Sequence, residues 1–194
     1  MLSAFSGEHV GEPRVFICLY GPPLLHVDLK FVSLTDVAER VEDPEILWER
    51  DGRLTEALRG GEARYPARDL QWIEDRFWTW IHYGACKIGR GELFEAHDML
   101  AFLRAQVLGP LMLQTVDARP TGVRRLEQAA PGWAREMEAT VAEYEPRSTA
   151  LALREAAQIY RALRGAAATP DLAVRRDAEA AAMAYLDGIL ARTA

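Results

Sequence analysis

Residues 24–32, LLHVDLKFV, alternate between apolar and polar side chains, which is the two-residue period of a strand with one face buried. Leu25, Val27, Leu29 and Phe31 fall on one side, and His26, Asp28 and Lys30 on the other. A second β-rich run, residues 14–20 (RVFICLY), precedes it across Gly21-Pro22-Pro23, so the two read as a hairpin with a turn less regular than the two-residue type. A lone hairpin is unstable in water, so it needs more strands, helices or a partner chain. Residues 46–50 (ILWER), closed by Asp51-Gly52, are a candidate third strand. Glu8 and His9 fall in an N-terminal segment that reads as mobile, and His9 is given no role.

The pattern then changes period. Ser33 is placed to cap a short helix over 34–41, and residues 53–59 read as one or two helical turns. Gly60-Gly61 and the stretch to Pro66 form a linker, dividing a segment 1–62 from a helical segment 63–194. Beyond it Asp69 caps a helix to about Ile88, with Ile73, Phe77, Ile81, Gly84 and Ile88 on one stripe. After Gly89-Arg90-Gly91, Leu93, Ala96, Leu100, Leu103 and Val107 mark a second long helix that Pro110 kinks or ends. Lesser helices are expected over 121–129 and 133–144. Two more begin at Pro146 or Ser148 and at Thr169-Pro170-Asp171. The fold class is α+β: a two- or three-stranded sheet followed by a mostly antiparallel helical bundle.

Composition narrows the function. A chain of 194 residues with 49% apolar side chains can bury a core. A net charge of −6 argues against sequence-independent nucleic-acid binding, which needs clustered Lys and Arg. No apolar run approaches the ~18 residues of a membrane span, and no signal peptide is read at the start, so the expected location is cytoplasmic. Cys18 and Cys86 are too far apart for a CxxC motif and read as small hydrophobes.

Asp28 is the first candidate for chemistry. A carboxylate in mid-strand is either a metal ligand or general base at a cleft, or part of a wet sheet face. Lys87 and Arg90 are the second. They flank a helix end and the start of the next helix, where they either hold an anion or cap the helix. His82, Tyr83, His97 and Asp98 fit no metalloprotease spacing and read as partly buried polar groups in the bundle. The aromatic residues Trp72, Phe77, Trp78 and Trp80 read as helix packing.

Three segments together carry a resemblance: HVDLKFVSL (26–34), DPEILWERDG (43–52) and WIHYGACKIGRGELFEAHDMLAFLR (80–104). Over roughly residues 10–165 the chain resembles the nucleotidyltransferase superfamily, in the branch of the small antibiotic-modifying enzymes. The resemblance implies transfer of a nucleoside monophosphate from a nucleoside triphosphate to a small hydroxylated acceptor, with Mg²⁺ as cofactor. Asp28 would be the third acidic residue of that family's site, a metal ligand or base, and Lys30, Lys87 and Arg90 would face phosphate. The family's GS and DxD motifs have no counterpart here. The expectation is therefore a shortened or decayed catalytic segment without turnover of its own. The alternative is a helical interaction module that forms a homo-oligomer through the exposed edge of the hairpin.

Overall fold

The computed structural model describes residues 1–167 and 169–193, and the fold is α+β. Two units are separately compact, Met1–Pro66 and Ala67–Ala194.

The first unit is built on a three-stranded antiparallel sheet in the order β1-β2-β3, with β1 Ser3–Gly7, β2 Glu12–Tyr20 and β3 Leu25–Lys30. The third strand is thus not residues 46–50. It comes from the N-terminal segment expected to be mobile, which pairs Ala4 with Cys18 and Phe5 with Ile17. On β2 and β3, Ile17 opposes Asp28 and Cys18 opposes Val27. Directly opposed residues share a face. One face therefore carries Phe16, Cys18, Tyr20, Leu25, Val27 and Leu29, and the other carries His26, Asp28 and Lys30 among Val15, Ile17 and Leu19. Cys18 and Val15 are buried.

Residues 46–50 stay irregular because their side chains serve a helix instead. The Glu49 carboxylate accepts from Leu54 N (3.1 Å), Thr55 N (2.9 Å) and Thr55 Oγ1 (2.6 Å), satisfying free donors at the start of α1, Arg53–Arg59. Leu47 and Trp48 meanwhile point into solvent. The expected helix over 34–41 is also absent. Ser33 Oγ accepts from Asp36 N (3.3 Å), but the Asp36 carboxylate takes the Arg14 guanidinium (2.6 Å) and the chain makes successive turns.

The second unit contains α2 Leu70–Gly89, α3 Leu93–Leu103, a π-helical turn Arg104–Leu108, α4 Gly109–Gln114, α5 Leu126–Ala129, α6 Pro131–Glu138, α7 Pro146–Ala167 and α8 Arg176–Arg192. Asp69 caps α2 through Trp72 N (3.0 Å). That helix packs against α3, α7 and α8, and Ile73, Phe77, Ile81, Ala85 and Ile88 form the centre of the core. Gly84 allows a close approach: a Cβ there would lie 2.9 Å from Leu153 Cδ2 of α7.

Pro110 does not stop the helical path. It has no N–H to give residue 106, and the ladder widens, with Gly109 N donating to Arg104 O before α4 continues. The helix around 121–129 shortens to four residues, and α6 ends at Glu138, six residues before its expected limit. The last helix starts at Arg176 rather than Thr169. Gln71 clamps Ala173 through both its N–H (2.8 Å) and its C=O (3.3 Å), and Arg175 N donates to Glu74 (2.9 Å). These bonds from α2 hold the segment out of helix.

Candidate functional site

Asp28 stands at the middle of β3, its side chain 58% exposed, with His26 Nε2 2.9 Å from its Oδ1. Lys30, one alternation further, pairs with Glu12 at 2.9 Å. The strand's period brings these groups onto one face, and the apolar neighbours Ile17 and Leu19 lie between them and β1. Among the described residues no three His, Cys, Asp or Glu side chains converge as a metal site. A Mg²⁺ held by protein takes one or two carboxylates and completes its shell with water and substrate oxygens. Asp28 offers one carboxylate and shares it with an imidazole, so it would supply a single protein ligand to such an ion, the rest coming from water and substrate oxygens.

Lys87 and Arg90 belong to the second unit. Lys87, in the last turn of α2, is nearly enclosed. Its Nζ lies 2.6 Å from Glu92 and 2.5 Å from Glu95, and Tyr83 lies against it with its hydroxyl donating to Glu95 at 2.7 Å. Hydrogen bonds to Glu92 and Glu95 raise the Lys87 ammonium well above the ordinary lysine range. Reciprocally, Lys87 and Tyr83 hold the Glu95 carboxyl low. Arg90 Nε reaches Glu92 at 3.3 Å, with its own side chain more than half exposed. The helix junction therefore assembles two cations, as the spacing implies, but with carboxylates already upon them. Any anion binding there competes with Glu92 and Glu95, which the sequence reading left out. Their signal was legible in the spacing, with Glu92 at the N-cap and Glu95 in the first turn of the next helix, five and eight residues after Lys87.

The remaining candidates disperse. His82 and Tyr83 are exposed on α2, and Asp98 is exposed on α3. His97 turns inward to Thr149 Oγ1 (3.3 Å) and does not act with Asp98. Cys86 Sγ lies 3.5 Å from His82 Nε2, and Cys18 is buried in the sheet. Phe77 and Trp78 are buried, as packing residues should be, whereas Trp72 is half exposed under the Arg76 guanidinium at 4.3 Å.

The polar cluster with the deepest burial was not anticipated. Glu74 is 1% exposed on α2 and accepts from Trp78 Nε1 (3.2 Å), Tyr160 OH (2.6 Å), Arg164 Nη1 (3.0 Å) and Arg175 N (2.9 Å). Arg164 also binds Glu179 (2.8 Å), which takes Arg161 Nε (2.7 Å). Burial pushes the Glu74 carboxyl up, but the bonds from Tyr160, Arg175 and Trp78 and the Arg164 charge outweigh it. The net displacement is below the ordinary glutamate value. Burial and the Glu74 carboxylate both drive the Tyr160 phenol upward. With every Glu74 lone-pair direction taken, this cluster ties α2, α7 and α8 together and offers no group for chemistry.

No family model, no curated protein and no solved structure matches this chain. No helix among the described residues is long and apolar enough to cross a membrane.

Proposed function

We propose that the chain is nucleotidyltransferase-like, belonging to chemistry in which a nucleoside monophosphate passes from a nucleoside triphosphate to a small hydroxylated acceptor in the cytoplasm. The observation that supports this reading is Asp28, a carboxylate held in mid-strand, more than half exposed and outside any core network. This reading assigns phosphate contacts to Lys30, on the same face of the first unit, and separately to Lys87 and Arg90 at the helix junction of the second. Phosphoryl-type transfer relies on positioning and on charge neutralisation at the transferring group. One carboxylate gives too little of either, so the chain by itself has negligible turnover on this reading.

Two measurements test it. Calorimetry with a nucleoside triphosphate and Mg²⁺ should detect binding that weakens in Asp28→Ala; absence of binding, or an unchanged isotherm in the variant, removes the role given to Asp28. A turnover assay against a panel of aminoglycosides and lincosamides should yield no adduct, and robust adduct formation would overturn the claim of inactivity.

A second reading, a non-enzymatic interaction module, has its own observation. Leu25, Leu29 and Phe31 are exposed together along the hairpin.

A further inference from the structure

We infer that β3 is the interface of a two-fold symmetric homodimer, in which the strand pairs antiparallel with β3 of a second copy about Leu29. The inference is independent of the transferase reading.

The sheet order leaves β3 at an edge. Phe31 N donates to Arg14 O (3.0 Å), which fixes the alternation of the ladder. Odd-numbered residues of β3 turn their N–H and C=O groups towards β2, and those of His26, Asp28 and Lys30 face the open edge. Five of the six β3 residues are exposed and the sixth, Val27, is only partly covered. An edge of unpaired donors and acceptors is a template for another strand.

Charge selects the partner and the register. Self-pairing of an antiparallel strand places the two-fold axis on one residue, and side chains then oppose in pairs about it. With the axis on Asp28, two carboxylates meet and Lys30 opposes His26. With the axis on Leu29, Asp28 opposes Lys30 of the second copy, Lys30 opposes its Asp28, and Val27 opposes Phe31. Opposite charges and apolar pairs placed directly across a ladder stabilise it, and like charges destabilise it. The Leu29 register keeps the even-numbered residues as hydrogen-bonded pairs. It also extends the apolar face on which Phe16 and Phe31 already make an edge-to-face contact (6.2 Å between centroids). Within one chain Lys30 already has Glu12 at 2.9 Å and Asp28 has His26 at 2.9 Å, so the new pairs join a charge network instead of burying lone ions.

The full chain in solution should show a concentration-dependent dimer by sedimentation equilibrium. Asp28→Lys, which sets lysine against Lys30 twice per interface, should weaken dimerisation by about tenfold or more. Adding Lys30→Asp to it should restore the dimer. In a Cys86→Ser background, Leu29→Cys should form an intermolecular disulfide on mild oxidation, because residues at the axis sit in a close, non-hydrogen-bonded pair. A chain that stays monomeric at several hundred micromolar overturns the proposal. So does cross-linking through Val27→Cys but not Leu29→Cys, or a charge-swapped double variant that folds by circular dichroism yet fails to associate.

Discussion

The Tyr160 hydroxyl donates to the buried Glu74 carboxylate at 2.6 Å, joining α7 to α2 across 86 residues of sequence. The Tyr160 ring also stacks on Phe77 of α2, with centroids 3.8 Å apart. One side chain therefore fixes both the apolar and the polar contact of this helix pair. Tyr160→Phe keeps the stack and removes only the donor, so it should cost about 1–3 kcal/mol. Glu74→Ala removes the acceptor of Tyr160, Trp78 Nε1 and Arg175 N at once, leaves Arg164 with Glu179 alone, and should cost about 3–5 kcal/mol. Urea unfolding followed by circular dichroism checks both, and the order of the two losses is the critical result.

Acid sensitivity follows from the same group. Glu74 has a folded pKa below its unfolded value of 4.5. Its contribution to stability is complete above that value and is lost as pH falls through the lower, folded value. The thermal midpoint of the wild-type chain should therefore drop on acidification below about pH 4.5. Glu74→Gln should start from a lower midpoint and fall less steeply, and a parallel slope would show that Glu74 does not carry the effect.

Two aromatic residues five positions apart on α2 should behave oppositely. Phe77 is fully buried, and Phe77→Ala should destabilise by about 3–5 kcal/mol. Trp72 is 47% exposed and its ring meets Arg76 and Trp80, so Trp72→Ala should cost about 1 kcal/mol, well below Phe77→Ala. Denaturant midpoints at constant slope compare the pair.

At the helix junction, Glu95 competes with any anion for Lys87. Glu95→Gln should therefore raise nucleoside triphosphate affinity severalfold, measured by calorimetry at low ionic strength. Lys87→Met should lower that affinity. It should also lower the melting temperature, because Glu92 and Glu95 then face each other without their shared cation. If Glu95→Gln leaves binding unchanged, Lys87 has no part in holding phosphate.

Much of the fold was written locally. Asp69 announces α2 and caps it, Pro146 opens α7, and the stripe from Ile73 to Ile88 is the core face of α2. The alternation of residues 25–30 fixes which side chains share a face with Asp28. Less of the candidate site was legible. The spacing located Lys87 and Arg90 at a helix junction, but not the carboxylates that occupy them. Residues 46–50 have the composition of a strand, yet Glu49 spends its carboxylate on the start of α1.

What the sequence determined by itself is whatever neighbouring residues decide together: strand alternation, helical stripes, caps and the α+β class. The tertiary structure decided the start of α8, the identity of the third strand and the burial of Glu74. Those outcomes depend on bonds between distant residues, such as Gln71 to Ala173 across 102 positions. Such bonds form only after the chain has folded back on itself, and a buried hydrogen bond then outweighs the local preference for helix or strand.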